Sequence, residues 1–197
     1  MKLWIVLIVI ALLVAPKAFA GDEPAADIDE RDQAVTQSDE RADEREAIEV
    51  HLAHHHQLPD RETLEKTSDD ARAIVFDIAR DDDAFLLHRQ RALKALALWP
   101  DDEVYEYLSE LLEDEATENG LRHHLLPVLA NGFGEDALDD LSPYLLENSD
   151  PQIRISAAGA IAEISGDNAG ELLDKALETE EHPLVESRIE GFIDQRR

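Results

Sequence analysis

The chain contains no cysteine among its 197 residues, which excludes disulfides, thiolate metal ligands and a lipid-modified cysteine anchor. Positive charge is also scarce, because 18 Lys and Arg oppose 46 Asp and Glu and leave a formal net charge of −28. Nucleic acids and anionic membranes bind proteins mainly through Lys and Arg. We therefore expect no nucleic-acid partner. The acidity favours either a basic protein partner or solubility in saline surroundings.

Catalytic motifs are missing as well. The sequence has no serine in a glycine-flanked elbow, no phosphate-binding glycine loop and no His-Glu-x-x-His helix. Paired carboxylates are so frequent that no particular pair indicates acid–base chemistry. We expect no enzymatic activity and no cofactor.

A continuous apolar run, Leu3 to Val14, follows Lys2 near the N-terminus and precedes Ala18-Phe19-Ala20. This order is typical of a secretory signal peptide cleaved before Gly21. As a helix the run would rise about 18 Å, less than a bilayer core of about 30 Å. We therefore expect residues 1–20 to be removed and the mature chain to be periplasmic or secreted, without membrane insertion.

Residues 21–57 have the composition of an acidic, largely disordered linker. Between Gly21 and Glu46, Ile28 and Val35 are the only large apolar side chains, too few to offset the entropy lost on ordering. A short amphipathic helix is expected only near residues 47–57, with Ile48, Val50 and Leu52 as its apolar side chains.

A histidine cluster lies at the end of this linker, at His51, His54, His55 and His56. On a helix, imidazoles three or four residues apart can bind one ion, so His51, His54 and His55 are candidate ligands for zinc, nickel or copper. Without a fixed fourth ligand such a site is weak. Metal binding or buffering in the periplasm is therefore our alternative function for the protein.

The remaining residues, 58–197, contain an internal repeat. Arg89, Arg122 and Arg154 stand 33 and then 32 residues apart, each on the first helix of a predicted helical pair. Self-similarity at this period indicates stacked supersecondary units, and no segment alternates with the period of a strand. We predict an all-α fold: an α-α superhelix of about four helical-hairpin repeats, with half-repeats at its ends.

The third unit has the most specific pattern. Asp150 should cap a helix that starts at Pro151, and Gly166 and Asp167 should end that helix and cap the next one. The full pattern is Asp150, Pro151, Ile153, Arg154, Ala157, Ala160 and Ile161, then Gly166, Asp167 and the leucine-rich stretch Leu172 to Leu177. It resembles a HEAT repeat of the short bacterial type also found in phycobilisome-lyase-like proteins, over residues 60–195.

The resemblance implies a superhelix that binds another macromolecule along a concave surface lined by the second helix of each pair. It does not imply lyase chemistry. These second helices are rich in acids and have one cation, Lys175. The candidate partner-binding residues are Glu103, Glu106, Glu110, Asp136, Asp139, Asp140, Glu171 and Asp174. A concave face of this charge would attract a basic partner. The alternative is an ordinary solvated surface.

The function expected from these features is a non-enzymatic protein–protein interaction scaffold of the cell envelope. The in-register arginines Arg89, Arg122 and Arg154, together with Asp150, should instead be structural, with each arginine bonding acidic caps or the last carbonyls of an adjoining helix. A third possibility is self-association through a terminal half-repeat that exposes Val185 and Phe192.

Overall fold

The structure, a computed structural model, describes the backbone of residues 26–53 and 58–196, and side chains from residue 39 onward within those ranges. The predicted signal peptide and three of the clustered histidines, at positions 54–56, lie outside the described residues. The chain divides between Asp39 and Glu40 into two compact units, and the account below concerns the second.

Within the described residues the protein is entirely helical and has no strand, which confirms the predicted all-α class. The helices are α1 (Ala26–Ala53), α2 (Arg61–Thr67), α3 (Ala71–Arg80), α4 (Leu86–Leu96), α5 (Asp102–Glu113), α6 (Asn119–Phe133), α7 (Leu138–Leu146), α8 (Pro151–Glu163), α9 (Asp167–Thr179) and α10 (Pro183–Arg196). A 3₁₀ turn, Gly134–Ala137, precedes α7.

Four helical hairpins follow one another: α2/α3, α4/α5, α6/α7 and α8/α9, with α10 added as a single helix. We call α4, α6, α8 and α10 the first helices, and α3, α5, α7 and α9 the second helices. Each first helix packs against the next first helix and against the second helix of the preceding hairpin. Apolar side chains from every hairpin join one continuous core, as expected of units too small to bury their own apolar stripes.

Side-chain caps fix where several helices begin. The carboxylate of Asp101 accepts a hydrogen bond from the amide of Val104 (3.0 Å) and starts α5. Asp150 accepts from the amide of Gln152 (2.9 Å) and Pro151 is the first residue of α8, which confirms both predictions. The predicted cap at Asp167 is wrong. Gly166 is the cap residue, because its φ of 113° suits only glycine and a Cβ there would collide with the Glu135 carboxylate.

Two prolines lie inside helices, and a serine hydroxyl compensates for each. Pro127 in α6 lacks the amide hydrogen that would bond the carbonyl of His123, and Ser156 of α8 donates to that carbonyl instead (3.3 Å). Pro143 in α7 likewise leaves the carbonyl of Asp139 to the hydroxyl of Ser142 (3.2 Å). The carbonyls that the prolines release are therefore satisfied.

The first helices approach one another more closely than the second helices do. Their contacting positions are small residues, including Ala92, Ala95, Ala157 and Ala158, all buried. At Gly132 of α6, an added Cβ would lie 3.4 Å from the Cβ of Ala97, at the end of α4. Small side chains permit this close packing of backbones.

The helix before residue 58, the predicted start of the folded domain, is longer than the sequence indicated. Helix α1 occupies Ala26–Ala53, most of the segment that we expected to be largely disordered, and Ile48 and Leu52 are fully buried in the core. These two side chains are four residues apart on one helix face, whereas Val50 is 55% exposed. The sequence predicted a short helix with these apolar side chains, but not the length of α1 or the full burial of Ile48 and Leu52.

Ion pairs also hold the C-terminal part of α1 in place. Arg41 donates to Asp77 of α3 (2.7 Å) and Arg45 donates to Asp81, at the end of the same helix. The bond from Arg45 holds the pKa of Asp81 below its usual range. The charged residues of the predicted linker thus pair with a neighbouring helix as well as with water.

The terminal half-repeat does not expose the side chains suggested for self-association. Val185 of α10 is fully buried. The ring of Phe192 is partly buried and lies 3.3 Å from where a Cβ on Gly159 of α8 would be. Helix α10 turns its apolar face to α8 and α9, so that part of the prediction is wrong.

Candidate functional site

The in-register arginines bond the carbonyls at the ends of neighbouring helices. Arg89 Nε donates to the carbonyl of Ala79, in the last turn of α3 (3.1 Å). Arg122 Nε donates to the carbonyl of Leu112, in the last turn of α5 (3.2 Å). Such carbonyls have no partner within their own helix. Each guanidinium therefore joins a first helix to the second helix of the preceding hairpin.

Two tyrosines that the sequence did not single out complete this arrangement. The hydroxyl of Tyr107 donates to the carbonyl of Ala79 (3.0 Å), and that of Tyr144 donates to the carbonyl of Leu112 (2.8 Å). Burial raises the pKa of both phenols, so both remain donors at neutral pH. Their signal in the sequence is weak: each follows the in-register arginine of its own hairpin by about twenty residues.

The third arginine has a different partner. Arg154 donates to the carbonyl of Asn148, just after α7 (2.8 Å), and to both carboxylate oxygens of Glu180, at the end of α9 (2.8 and 2.9 Å). Only 14% of the Arg154 side chain and 7% of the Glu180 side chain are exposed. The hydrogen bond from Arg154 lowers the pKa of Glu180. Asp150 does not join this pair, because it caps α8 and also accepts from Asn119 (2.8 Å).

The last first helix, α10, has Glu186 at the position of the arginine. Arg196, at the end of α10, donates instead to the carbonyls of Ala162 (2.7 Å), Ile164 and Gly166 (2.8 Å), where α8 ends. The period did not predict this residue, because Arg196 lies outside the register of the other three. An arginine thus bonds the carbonyls at the end of a helix in each of the four cases.

Two of the eight predicted partner-binding acids bond within the fold. Glu103 accepts from Arg72 of α3 (2.8 Å), which also binds Asp101. Asp140 accepts from Ser109 (2.7 Å) and from Tyr105 (2.9 Å), both on α5. Burial, followed by the bond to Asp140, raises the pKa of Tyr105 to about 12. These acids link successive hairpins and are engaged in the folded protein.

The other six acids are exposed, and no salt bridge to any of them occurs among the residues whose side chains are described. We call this set the acidic surface: Glu106, Glu110, Asp136, Asp139, Glu171 and Asp174. Glu106 and Glu110 lie on α5, Asp136 and Asp139 on the 3₁₀ turn and α7, and Glu171 and Asp174 on α9.

A groove of about 570 Å³ crosses part of the acidic surface, between α7 and α9. Asp136 and Asp139 lie along one side, Lys175 along the other, and Leu138 and Leu172 supply apolar area. The acidic surface is formed by the second helices α5, α7 and α9 and by the 3₁₀ turn before α7.

Of the candidate metal ligands, the structure describes only His51, a partly buried residue of α1. His54 and His55 lie outside the described residues. Within the described part of the chain, no three His, Asp or Glu side chains are grouped as they would be to hold a metal ion.

No protein-family model matches this chain, and no curated protein is significantly similar to it in sequence. The likeness to HEAT repeats therefore depends on the repeat pattern and its spacing alone. None of the helices described in the structure is both long enough and apolar enough to cross a membrane.

Proposed function

We propose that this protein is a non-enzymatic scaffold of the cell envelope that binds a basic partner protein through its acidic surface. The hairpins would belong to the HEAT type, and a secretory signal at residues 1–20 would direct the chain to the periplasm or outside the cell. The partner would contact α5, α7 and α9 together and so span three successive hairpins.

One observation supports this proposal above all: the two layers use charge differently. The in-register arginines of the first helices bond backbone carbonyls. The six acids of the acidic surface have no cationic partner among the described side chains, apart from Lys175 in the same groove. Their field is consequently directed to the solvent, where it would steer a basic partner toward the surface.

The groove between α7 and α9 adds contact area to this attraction. Charge at the rim of an interface mainly raises the association rate, whereas buried apolar contacts slow dissociation. Leu138 and Leu172 lie beside Asp136 and Asp139 in this groove, so one partner segment can meet both kinds of contact. Binding should weaken as salt screens the acids.

A charge-reversal experiment tests the proposal. Glu106→Lys, Asp139→Lys and Asp174→Lys are combined in one variant. A control variant combines Asp69→Lys, Glu163→Lys and Glu190→Lys. These three acids are exposed and lie outside the acidic surface, and their substitution changes the net charge by the same amount. Wild type and control should enrich the same basic protein by crosslinking from the extracytoplasmic fraction, and the first variant should not.

The purified partner then allows a quantitative check. Its dissociation constant should rise about tenfold or more for the acidic-surface variant, and it should rise with salt for wild type. Equal binding by both variants, or equal loss in both, would show that general acidity and not this surface determines binding. Both variants should melt within a few degrees of wild type, because exposed substitutions change the stability by about 0.5 kcal/mol or less.

A further inference from the structure

A second groove, of about 620 Å³, lies away from the acidic surface. It is bounded by the C-terminal ends of α3 and α5 and the N-terminal ends of α4 and α6. Tyr107, Leu111 and Leu121 line it and pack against the core below, and Leu86 stands at its edge. Its apolar lining remains accessible to solvent.

Two large apolar side chains at the start of α4 are unusually exposed for so charged a chain, and one of them, Leu86, lines this groove. Phe85 is 67% and Leu86 65% exposed, and they are adjacent in sequence. Phe85 is also the N-cap residue of α4 and makes no side-chain capping bond. Ser, Thr, Asp and Asn are the residues preferred there. A residue that violates a local preference and exposes an aromatic ring indicates a functional constraint.

A cation with unused donors lies at the same groove. The guanidinium of Arg80 is 3.9 Å from the ring centroid of Phe76 and 5.1 Å from that of Tyr107, so two aromatic rings hold it. It makes no hydrogen bond to any described residue, and its nearest carboxylate is that of Glu103, 3.9 Å away and bonded to Arg72. Its donors are therefore available to a carboxylate.

The acids around the groove do not supply that carboxylate. Asp82 pairs with Arg89 (2.7 Å), and Asp114 accepts from the amide of Ala116 (2.9 Å). Glu118, the remaining acid of the lining, is exposed and makes no side-chain bond within the described chain. A ligand's carboxylate would thus meet Arg80 without displacing a hydrogen-bonded partner.

Thr117 provides a further polar group. Only 7% of the residue is exposed, it lines the groove, and its hydroxyl makes no hydrogen bond to any residue described in the structure. The hydroxyl oxygen itself is accessible to solvent, so it can bond a group in the groove. The groove therefore combines apolar walls with an unbonded hydroxyl and an available guanidinium.

We propose that this groove binds a peptide segment of a partner protein in which large apolar side chains stand beside a carboxylate. The apolar side chains would pack on Leu111 and Leu121 beneath Phe85 and Leu86, and the carboxylate would bind Arg80. This site is separate from the acidic surface and selects a partner segment of the opposite charge, so it does not depend on the scaffold proposal.

Selection from a random twelve-residue peptide library tests this proposal, with the purified protein and its Phe85→Ser variant as parallel targets. Serine is a favourable N-cap, so the variant should melt at the same temperature as wild type or higher. Wild type should enrich peptides that contain two or more large apolar residues and an acidic residue or a free carboxyl terminus. The variant should not enrich them.

Synthetic fluorescent peptides of the enriched sequences then test the charge. Anisotropy titrations should show affinity about tenfold lower for Arg80→Gln, and equally lower for wild type when the peptide carboxylate is replaced by an amide. Combining both changes should cost no more than either alone. Arg188→Gln, at an exposed position on α10, is the matched control and should bind as wild type does.

Three outcomes would overturn the proposal. If the library yields the same peptides on wild type and on Phe85→Ser, the groove does not select them. If the enriched peptides bind equally well to Arg80→Gln and after amidation, the carboxylate has no role. If sedimentation reveals self-association that Phe85→Ser abolishes, a second copy of this chain is the occupant.

Discussion

The first and second helices of this protein are built from the same repeat, yet they use charge in opposite ways. Arg89, Arg122 and Arg154 of the first helices donate to backbone carbonyls. The second helices direct acids such as Glu106 and Asp174 into the solvent. The chain has 18 basic and 46 acidic residues. These arginines hold helices together, and the excess acidic side chains remain at the surface.

Helix termini account for the difference. The last carbonyls of a helix lack intrahelical partners, and a guanidinium with five donors can satisfy several of them. An exposed carboxylate that pairs with nothing costs the fold little, and exposed ion pairs contribute about 0–1 kcal/mol. Stability therefore depends on the arginines far more than on the acids, and the acids can serve recognition.

The strongest test of this contrast is Arg154→Ala. It leaves Glu180, only 7% exposed, without its cation and removes the donor to Asn148. Breaking one partner of a largely buried pair costs about 3 kcal/mol. Urea unfolding should show this loss, while Arg188→Ala on exposed α10 should change the unfolding free energy by about 0.5 kcal/mol or less. Equal losses in the two variants would contradict a structural role for the in-register arginines.

The same substitution in the two layers should have opposite effects. At Gly132, Leu must fit beside Ala97, which an added Cβ would already approach to 3.4 Å, so Gly132→Leu should destabilise by about 1–3 kcal/mol. At Gly170 of α9 nothing lies within 4 Å, and Gly170→Leu should stabilise by about 0.5–1 kcal/mol through helix propensity. Thermal melts distinguish the two. A stabilising Gly132→Leu would show that the first helices are not closely packed.

Acid should weaken the ion pair between Arg154 and Glu180. Arg154 lowers the pKa of Glu180 in the folded protein, so as pH falls the unfolded chain binds this proton first. The contribution is full above the ordinary carboxylate range and is lost as pH falls through the lowered pKa. The stability difference between wild type and Glu180→Gln, measured by urea unfolding at several pH values, should therefore shrink in acid. A difference that stays constant would mean that the carboxylate charge is not involved.

Much of the fold could be predicted because its signals are local. The period of the arginines, the apolar spacing and the Asp150-Pro151 cap identify successive helical hairpins. The errors occurred where contacts with residues distant in sequence determine whether a segment is buried. The sequence predicted only a short helix around Ile48 and Leu52 at the end of a linker, because their burial depends on a core supplied by later hairpins.

The candidate sites could be predicted only in part, for the same reason. The eight candidate partner-binding acids have similar sequence surroundings, yet Glu103 and Asp140 bond side chains about 31 residues away and the other six remain exposed. The second groove had no signal in the sequence, because Arg80, Leu86 and Thr117 come together only when α3, α4 and the connection between α5 and α6 pack.

The sequence alone determined the acidity, the absence of cysteine chemistry and the repeated helical pairs, because charge, composition and helical periodicity are local properties. The tertiary structure decided which carbonyl each arginine binds, which acids remain at the surface and which apolar residues stay exposed beside a groove. Those outcomes depend on the stacking of hairpins, since only packing brings residues about one repeat apart within hydrogen-bonding distance.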